Sequence, residues 1–398
     1  MSQTLEEIAQ QLHAADKKVQ LIYAFNGTGK TRLSRALKNL IAPKAEDGQE
    51  GELSREKILY YNAFTEDLFY WDNDLEGNGN AKLVIQPNTF TEWILVEQGQ
   101  EANITRNFQR YANDKLTPKF NQEYEKVFWD EFDQEHEVVV KAFSEVTFSV
   151  EAGGDEETGN FKISKGEESN FIWSIFFTLL EEVVSVLNIA EVGDRPTDQF
   201  NGLQYVFVDD PVSSLDENHL IELAVNLADL IKAAPLQLKF VITTHNPLFY
   251  NVLHNELDLS KQGKKEGCYL LERMEDGTFN LNVKYGDANK SFSYHLHLKK
   301  VLEEAIAGNA VERYHFTMLR NLYEKTAGFL GYARWSDLLD TVEGSKDAYV
   351  RAINTFTHSA LSNEQVRDPS PAEKNTVKLL LDNLVNNYAY WQQDEQNG

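Results

Sequence analysis

The chain has 398 residues with 42% apolar composition spread along its length, enough to bury two ordinary cores, so two domains are expected and nothing argues for disorder. The longest apolar run, Phe171 to Leu180, is about half of what a membrane span requires, the N-terminus shows no secretory pattern, and a single cysteine, Cys268, excludes an intrachain disulfide. These features predict a protein of the reducing cytoplasm with no membrane segment. The formal net charge of −25 argues against sequence-blind coating of DNA, and it is uneven. From residue 265 onward there are 15 Lys and Arg against 19 Asp and Glu, a net of −4, leaving −21 for residues 1–264. The last third therefore repels nucleic acid least.

In the first 260 residues short apolar strands alternate with helical patterns: Val19 to Phe25, a helical Arg32 to Ile41, Ile58 to Tyr61, Tyr205 to Val208 and Phe240 to Thr243. The pattern predicts an α/β fold with a largely parallel sheet. Charged or Gly-rich stretches at 42–53, 76–80 and 151–159 read as loops. Residues from about 90 to 150 show helix-like spacing and are expected to form a helical insert, too short for a long coiled-coil arm. A hairpin-like segment from Gly267 to Val283 turns at Asp276-Gly277, and helices follow to Trp391. The expected division is residues 1–264 as a nucleotide-handling domain and 265–398 as a mainly helical second domain.

Ala24-Phe-Asn26-Gly27-Thr28-Gly29-Lys30-Thr31 lies between an apolar strand and an amphipathic helix, the context a phosphate loop requires. Backbone N–H groups of Asn26 to Gly29 are expected around the phosphates, Lys30 on the terminal phosphates and Thr31 on Mg²⁺. Ala24 stands where the usual pattern has its first glycine. The apolar run ending in Asp209-Asp210-Pro supplies a carboxylate for Mg²⁺, Asp209, and a second, Asp210, to orient or activate an attacking water. Ile163-Ser164-Lys-Gly166-Glu-Glu168 resembles the signature turn of ABC proteins, with Ser164 and Gly166 as nucleotide contacts. Phe240-Val-Ile-Thr-Thr-His245 places a histidine where those proteins sense the γ-phosphate. The motifs occur in ABC order, and the resemblance implies a head-to-tail dimer in which the signature residues complete the opposite subunit's site. Gln86 is the candidate for the ABC glutamine. The base, GTP or ATP, stays open on these residues.

In the last third, Arg320-Asn-Leu-Tyr-Glu324 sets a cation and a carboxylate four apart on one helical face. Arg351 and His358 have the spacing of the Arg-x4–6-His motif of HEPN ribonucleases. Together these groups can supply proton transfer, through His358 and Glu324, and charge stabilisation, through Arg320, for metal-free RNA cleavage, with Arg351 assisting or anchoring its helix.

Long stretches extend the resemblance over essentially the whole chain: Leu21 to Ser34, Ile58 to Trp71, Ser164 to Phe171, Lys284 to His295 and Arg320 to Thr326. They are similar to the bacterial anticodon nucleases of the PrrC type. That resemblance implies a latent enzyme cutting tRNA-Lys in its anticodon loop beside the wobble position, leaving 2′,3′-cyclic phosphate and 5′-hydroxyl ends. It implies an Arg–Glu–His triad on Arg320, Glu324 and His358, and Asp287 as reader of the modified wobble base. It also implies silencing by a type I restriction–modification complex, release by a phage-encoded activator, GTP hydrolysis and binding of dTTP. The rival readings are a DNA-repair type ABC ATPase without nuclease activity and a sensor subunit of a restriction complex.

Overall fold

The computed structural model describes residues 3–15, 17–43, 57–62, 65, 67–72, 81–88, 91–112, 115–129, 135–151, 157–158, 161–211, 215, 217–259, 267–274, 276–283, 294–357, 368–388 and 390. They form two compact units, 1–287 and 288–398.

The first unit opens with helix α1 (Leu5–Ala14), started by a capping box in which Thr4 and Glu7 satisfy each other's backbone N–H groups. Strand β1 (Val19–Tyr23) leads into the phosphate loop and α2 (Lys30–Ile41), followed by β2 (Ile58–Tyr61). Later come β10 (Tyr205–Asp209), α5 (Glu217–Ala233), β11 (Lys239–Thr244), α6 (Pro247–Glu256), β12 (Cys268–Arg273) and β13 (Phe279–Val283). These strands make one six-stranded sheet in the order β13-β12-β1-β11-β10-β2. All neighbours are parallel except the terminal pair β12–β13.

Every residue of β10 is buried, as expected of a strand covered on both faces. On one face Ile22, Phe207 and Val241 pack with Leu5, Ile8 and Leu12 of α1 and Leu33 and Leu37 of α2. On the other, Tyr23 meets Tyr250 of α6 edge-on, with ring centroids 6.1 Å apart. Tyr61 similarly meets Trp173 at 5.1 Å on α4 (Lys165–Leu187). This helix contains the long apolar run, and Phe171 to Leu180 is entirely buried. It is long and apolar enough to cross a membrane, yet here it is a core helix of this first unit, the head. Burial of each Leu, Ile or Phe there contributes roughly 1.5–3 kcal/mol.

The segment expected to be a helical insert is mostly strand. A π-helix (Glu92–Glu97) and α3 (Glu101–Tyr111) are helical. Beyond them come β5 (Leu116–Phe120), β6 (Tyr124–Trp129), β7 (Glu135–Val140) and β8 (Glu145–Glu151). With β3 (Phe69–Asp72), β4 (Lys82–Ile85) and the short β9 (Glu157–Thr158), they build a small antiparallel sheet, β3-β4-β8-β5 with β9 on β8, and a separate β6–β7 hairpin. Leu116, Pro118 and Phe120 are buried alternately, the period of a strand with one face covered. Charged residues between them produced the helix-like spacing, and cross-strand pairing overrode it.

The expected boundary after residue 264 also moves. Leu21, Ile22 and Tyr23 pair in register with Cys268, Tyr269 and Leu270, so the hairpin β12–β13 belongs to the head's own sheet. A parallel partner has to arrive from a distant part of the chain, which local patterning does not announce.

The second unit is helical: α7 (Tyr294–Ala307), α8 (Arg313–Leu330), a 3-10 segment (Trp335–Thr341), α9 (Lys346–Thr357) and α10 (Pro371–Asn387). Gly331, left-handed at φ 81°, ends α8, and a capping box of Ser370 with Glu373 plus Pro371 starts α10. Leu319, Leu322, Ile353, Val377 and Leu384 are among its core residues. The buried Tyr323 hydroxyl donates to the Leu380 carbonyl at 2.8 Å, fixing α8 against α10.

Candidate functional site

In the head, β1, β11 and β10 lie side by side, so the loops leaving their carboxyl ends converge on one edge of the sheet, where open α/β sheets bind ligands. Ala24 still belongs to the β1 ladder. Its N–H donates to the Thr244 carbonyl at 2.9 Å and its backbone is not left-handed, so the position does not need a glycine. Gly27 and Gly29 do have left-handed backbones, at φ 80° and 106°. A Cβ on Gly29 would also lie 3.4 Å from the Phe279 ring. Helix α2 begins without a side-chain cap, the arrangement that presents its first N–H groups to an anion.

Lys30 is buried and its ammonium donates to Asn26 Oδ1 at 3.1 Å and to the Ala24 carbonyl at 3.3 Å, with Asp210 Oδ2 3.4 Å away. Asp209, 5% exposed, accepts from the Thr31 hydroxyl at 2.6 Å and from Thr243 at 2.5 Å. Burial pushes the Asp209 carboxyl above its ordinary range, and the neighbouring Asp210 charge adds to this. A buried carboxylate with a threonine hydroxyl beside it fits a divalent cation, which would offset that desolvation.

Asp210 has a left-handed backbone at φ 53°, a strained conformation for a residue other than glycine. It is held by Thr244 Oγ1 at 3.3 Å, by the His245 N–H at 3.4 Å and by the His245 ring nitrogen Nδ1. Burial alone would raise its pKa, but the His245 hydrogen bond and the Lys30 charge outweigh it and hold Asp210 below the usual carboxylate range. Burial, with the Asp210 charge, pushes the nearby Tyr23 hydroxyl up to about 12. The structure thus joins Lys30, Thr31, Asp209, Asp210 and His245 into one network. Asp210, just past the end of β10, is bonded to His245 and lies against the Lys30 ammonium.

Ser164 caps α4 in a capping box with Glu167 and is exposed with its hydroxyl 2.7 Å from Glu167 Oε2, and Gly166 follows in the first turn. In the same first turn Glu168, 3% exposed, accepts from the Trp71 indole N–H at 2.9 Å, a brace from the small sheet without a local signal in the sequence. Gln86 is exposed just beyond β4, and its described bonds are backbone ones, to the Leu68 carbonyl and from the Asn88 amide. At the carboxyl end of β2, next to β10, stands instead Asn62, 1% exposed, whose amide donates to Ser34 Oγ of α2 at 3.2 Å. Two further groups went unread in the sequence. Thr243 could have been found as the hydroxyl two residues before His245, whereas Asn62 had no local signal.

In the helical unit Arg320 Nε donates to Glu324 Oε1 at 2.8 Å, one turn along α8. Its Nη1 reaches Asn354 Oδ1 of α9 at 3.4 Å, and its guanidinium lies over the Trp335 ring, 5.8 Å from the centroid. Asn354 and Trp335 are additions from the structure. Arg351 is exposed and donates to the Asp347 carbonyl of its own helix at 3.2 Å. His358 and Asp287 lie outside the described residues. Among the described residues no group of three His, Cys, Asp or Glu side chains could hold a metal.

Strand order and site geometry define an ABC-type nucleotide-hydrolysing head joined to a helical unit. A protein-family profile described as an AAA domain matches residues 153–382. An anticodon nuclease of Escherichia coli is 58% identical over 425 aligned positions, covering 100% of both chains. This chain belongs to the anticodon nuclease family. Among solved structures, an Smc head bound to the C-terminal winged-helix domain of ScpA is similar at 12% identity, covering 69% of this chain and 92% of that one, with a TM-score of 0.32. The SMC head of Thermotoga maritima is similar at 12% identity, 68% and 91% coverage and a TM-score of 0.29. An Smc head of Pyrococcus furiosus with an extended coiled coil is similar at 13% identity and a TM-score of 0.27, and this chain spans 39% of its length.

Proposed function

We propose that the chain is an NTP-regulated, cytoplasmic endoribonuclease that cuts tRNA-Lys in the anticodon loop beside the wobble position. The observation that carries this reading is the held guanidinium of Arg320, between Glu324 and Asn354 and over Trp335. A preorganised cation of this kind suits the charge that builds on phosphorus during cleavage. In the proposed step the ribose 2′-oxygen bonds to the adjacent phosphorus while the bond to the 5′-oxygen breaks. His358 and Glu324 remove the 2′-OH proton and protonate the leaving oxygen, yielding a 2′,3′-cyclic phosphate and a free 5′-hydroxyl. Asp287 reads the wobble base, and Arg351 assists the cut or anchors its helix.

In the head, Lys30 and the loop N–H groups hold the phosphates of GTP or ATP, and Thr31 and Asp209 hold Mg²⁺, which supplies charge neutralisation at the phosphates. Asp210 and His245 sense the terminal phosphate. Ser164 and Gly166 complete the site of a second head in a head-to-tail dimer, for which the exposure of Ser164 leaves room. Binding of dTTP, silencing by a type I restriction–modification complex and release by a phage product belong to the same reading.

Incubating the purified protein with bulk tRNA, with and without GTP, and mapping the RNA ends tests it. The expected result is one cut in tRNA-Lys with cyclic phosphate and 5′-hydroxyl ends. DNA-stimulated hydrolysis without RNA cutting would identify a DNA clamp, and neither activity would identify a sensor subunit.

A further inference from the structure

Helix α8 carries Arg313, Thr317, Arg320 and Glu324 at i, i+4, i+7 and i+11, a single stripe along one face. The last two form the pair assigned above to cutting. The first two, with Tyr314, line an open cavity of about 640 Å³ that Phe356 of α9 and Asp368 and Lys374 around the start of α10 also border. We infer that this cavity binds one nucleotide of single-stranded RNA next to the scissile bond, its base on Tyr314 and its phosphate by Arg313 and Lys374.

This inference rests on the nuclease reading and locates part of its substrate. Thr317 lies about 4.5 Å of helix rise from Arg320 and Arg313 about 10 Å, so the cavity opens within a nucleotide or two of the cutting pair. In the chain Phe356 stands two residues before His358. Its volume is within the range of sites that take a small organic ligand, and its open mouth would leave the rest of an RNA strand outside.

Its chemistry matches unstacked RNA. Tyr314 is half-exposed, and its ring is held against that of His315, with centroids 4.0 Å apart. His315 is buried and accepts the Glu312 N–H at Nδ1 at 2.8 Å, so the aromatic platform has a fixed support. Stacking on such a platform is how proteins take up bases from loops. Two cations, Arg313 and Lys374, share the wall with two carboxylates, Glu312 and Asp368. That balance suits one phosphate and the N–H edge of one base better than a continuous phosphate track.

The test is single-turnover cleavage of a tRNA anticodon stem-loop by the full chain and its Tyr314→Ala, Tyr314→Phe, Lys374→Ala and Arg320→Ala variants. Tyr314→Ala should raise the half-saturating RNA concentration by about 5- to 150-fold, the loss of one base stack, with little change in maximal rate. Lys374→Ala should raise it less, and Tyr314→Phe, which keeps the ring, should behave as the unaltered protein. NTP hydrolysis and thermal unfolding should be unchanged in all three. If Tyr314→Ala and Lys374→Ala both saturate like the unaltered protein while Arg320→Ala is inactive, the cavity inference fails and the nuclease reading stands. If Arg320→Ala cuts at full rate, the nuclease reading fails and takes this inference with it.

Discussion

The two units solve the placement of charge in opposite ways. In the head, the working groups are buried and mutually bonded: Lys30, 7% exposed, and Asp209, 5% exposed, sit in a network with Thr31, Thr243, Asp210 and His245. In the helical unit Arg320 and Glu324 are a partly exposed pair on a helix surface, with side chains 22% and 41% exposed. Burial makes the head's charges interdependent, since an unpaired buried charge is expensive. A partly exposed pair of this kind stabilises a helix by only a few tenths of a kcal/mol, so the pairing of Arg320 with Glu324 adds little to the fold.

The largest effect that would break this comparison is in the head's buried network. Lys30→Ala or Asp209→Ala should abolish NTP hydrolysis and, with it, RNA cutting by the regulated complex. Hydrolysis followed by phosphate release, alongside cutting of tRNA, checks both, and intact nucleotide-dependent cutting by either variant would refute the coupling. Arg320→Ala and His358→Ala should lower cutting by about 10²–10⁴-fold while leaving hydrolysis intact. Once the nuclease is activated, cutting by the unaltered protein should survive excess EDTA, because the proposed groups act without a metal. Ends bearing 5′-phosphate would point to a different site.

A third outcome sharpens the comparison by asking whether the head's site is complete in one chain. Mixing a Lys30→Ala subunit with a Gly166→Arg subunit should restore part of the hydrolysis that each lacks alone. Mixed dimers as inactive as their parents would overturn the shared-site arrangement.

The smallest effect concerns stability of the helical unit. Burial holds the His315 pKa below its ordinary value of 6.5, so the folded chain keeps the ring neutral while the unfolded chain takes up a proton. The stability this ring contributes is present above about pH 6.5 and is lost as the pH falls from there through the depressed folded value. Melting between pH 7.5 and 5.5 should therefore decline more in the unaltered protein than in His315→Gln, by on the order of a few degrees. Equal declines would remove His315 from the account.

Local chemistry determined what could be read directly. Gly27, Gly29, Lys30 and Thr31 are contiguous and need a strand before and a helix after, both visible as apolar periodicity. The same holds for Asp209 and His245, each at the end of a buried apolar run, and for Arg320 and Glu324, whose spacing of four fixes a common helical face. The tertiary structure alone decided which distant segments meet. Residues 116–120, 124–129, 135–140 and 145–151 became strands because each found an antiparallel partner, and β12 joined the head because β1 offered a parallel edge. Asp210 became the partner of His245 because β10 and β11 are neighbours in register. Asn62, Trp71, Thr243, Trp335 and Asn354 entered the sites the same way, through contacts made by sheet pairing and helix packing, whose partners lie 15 to 97 residues apart and leave no periodic trace in the chain.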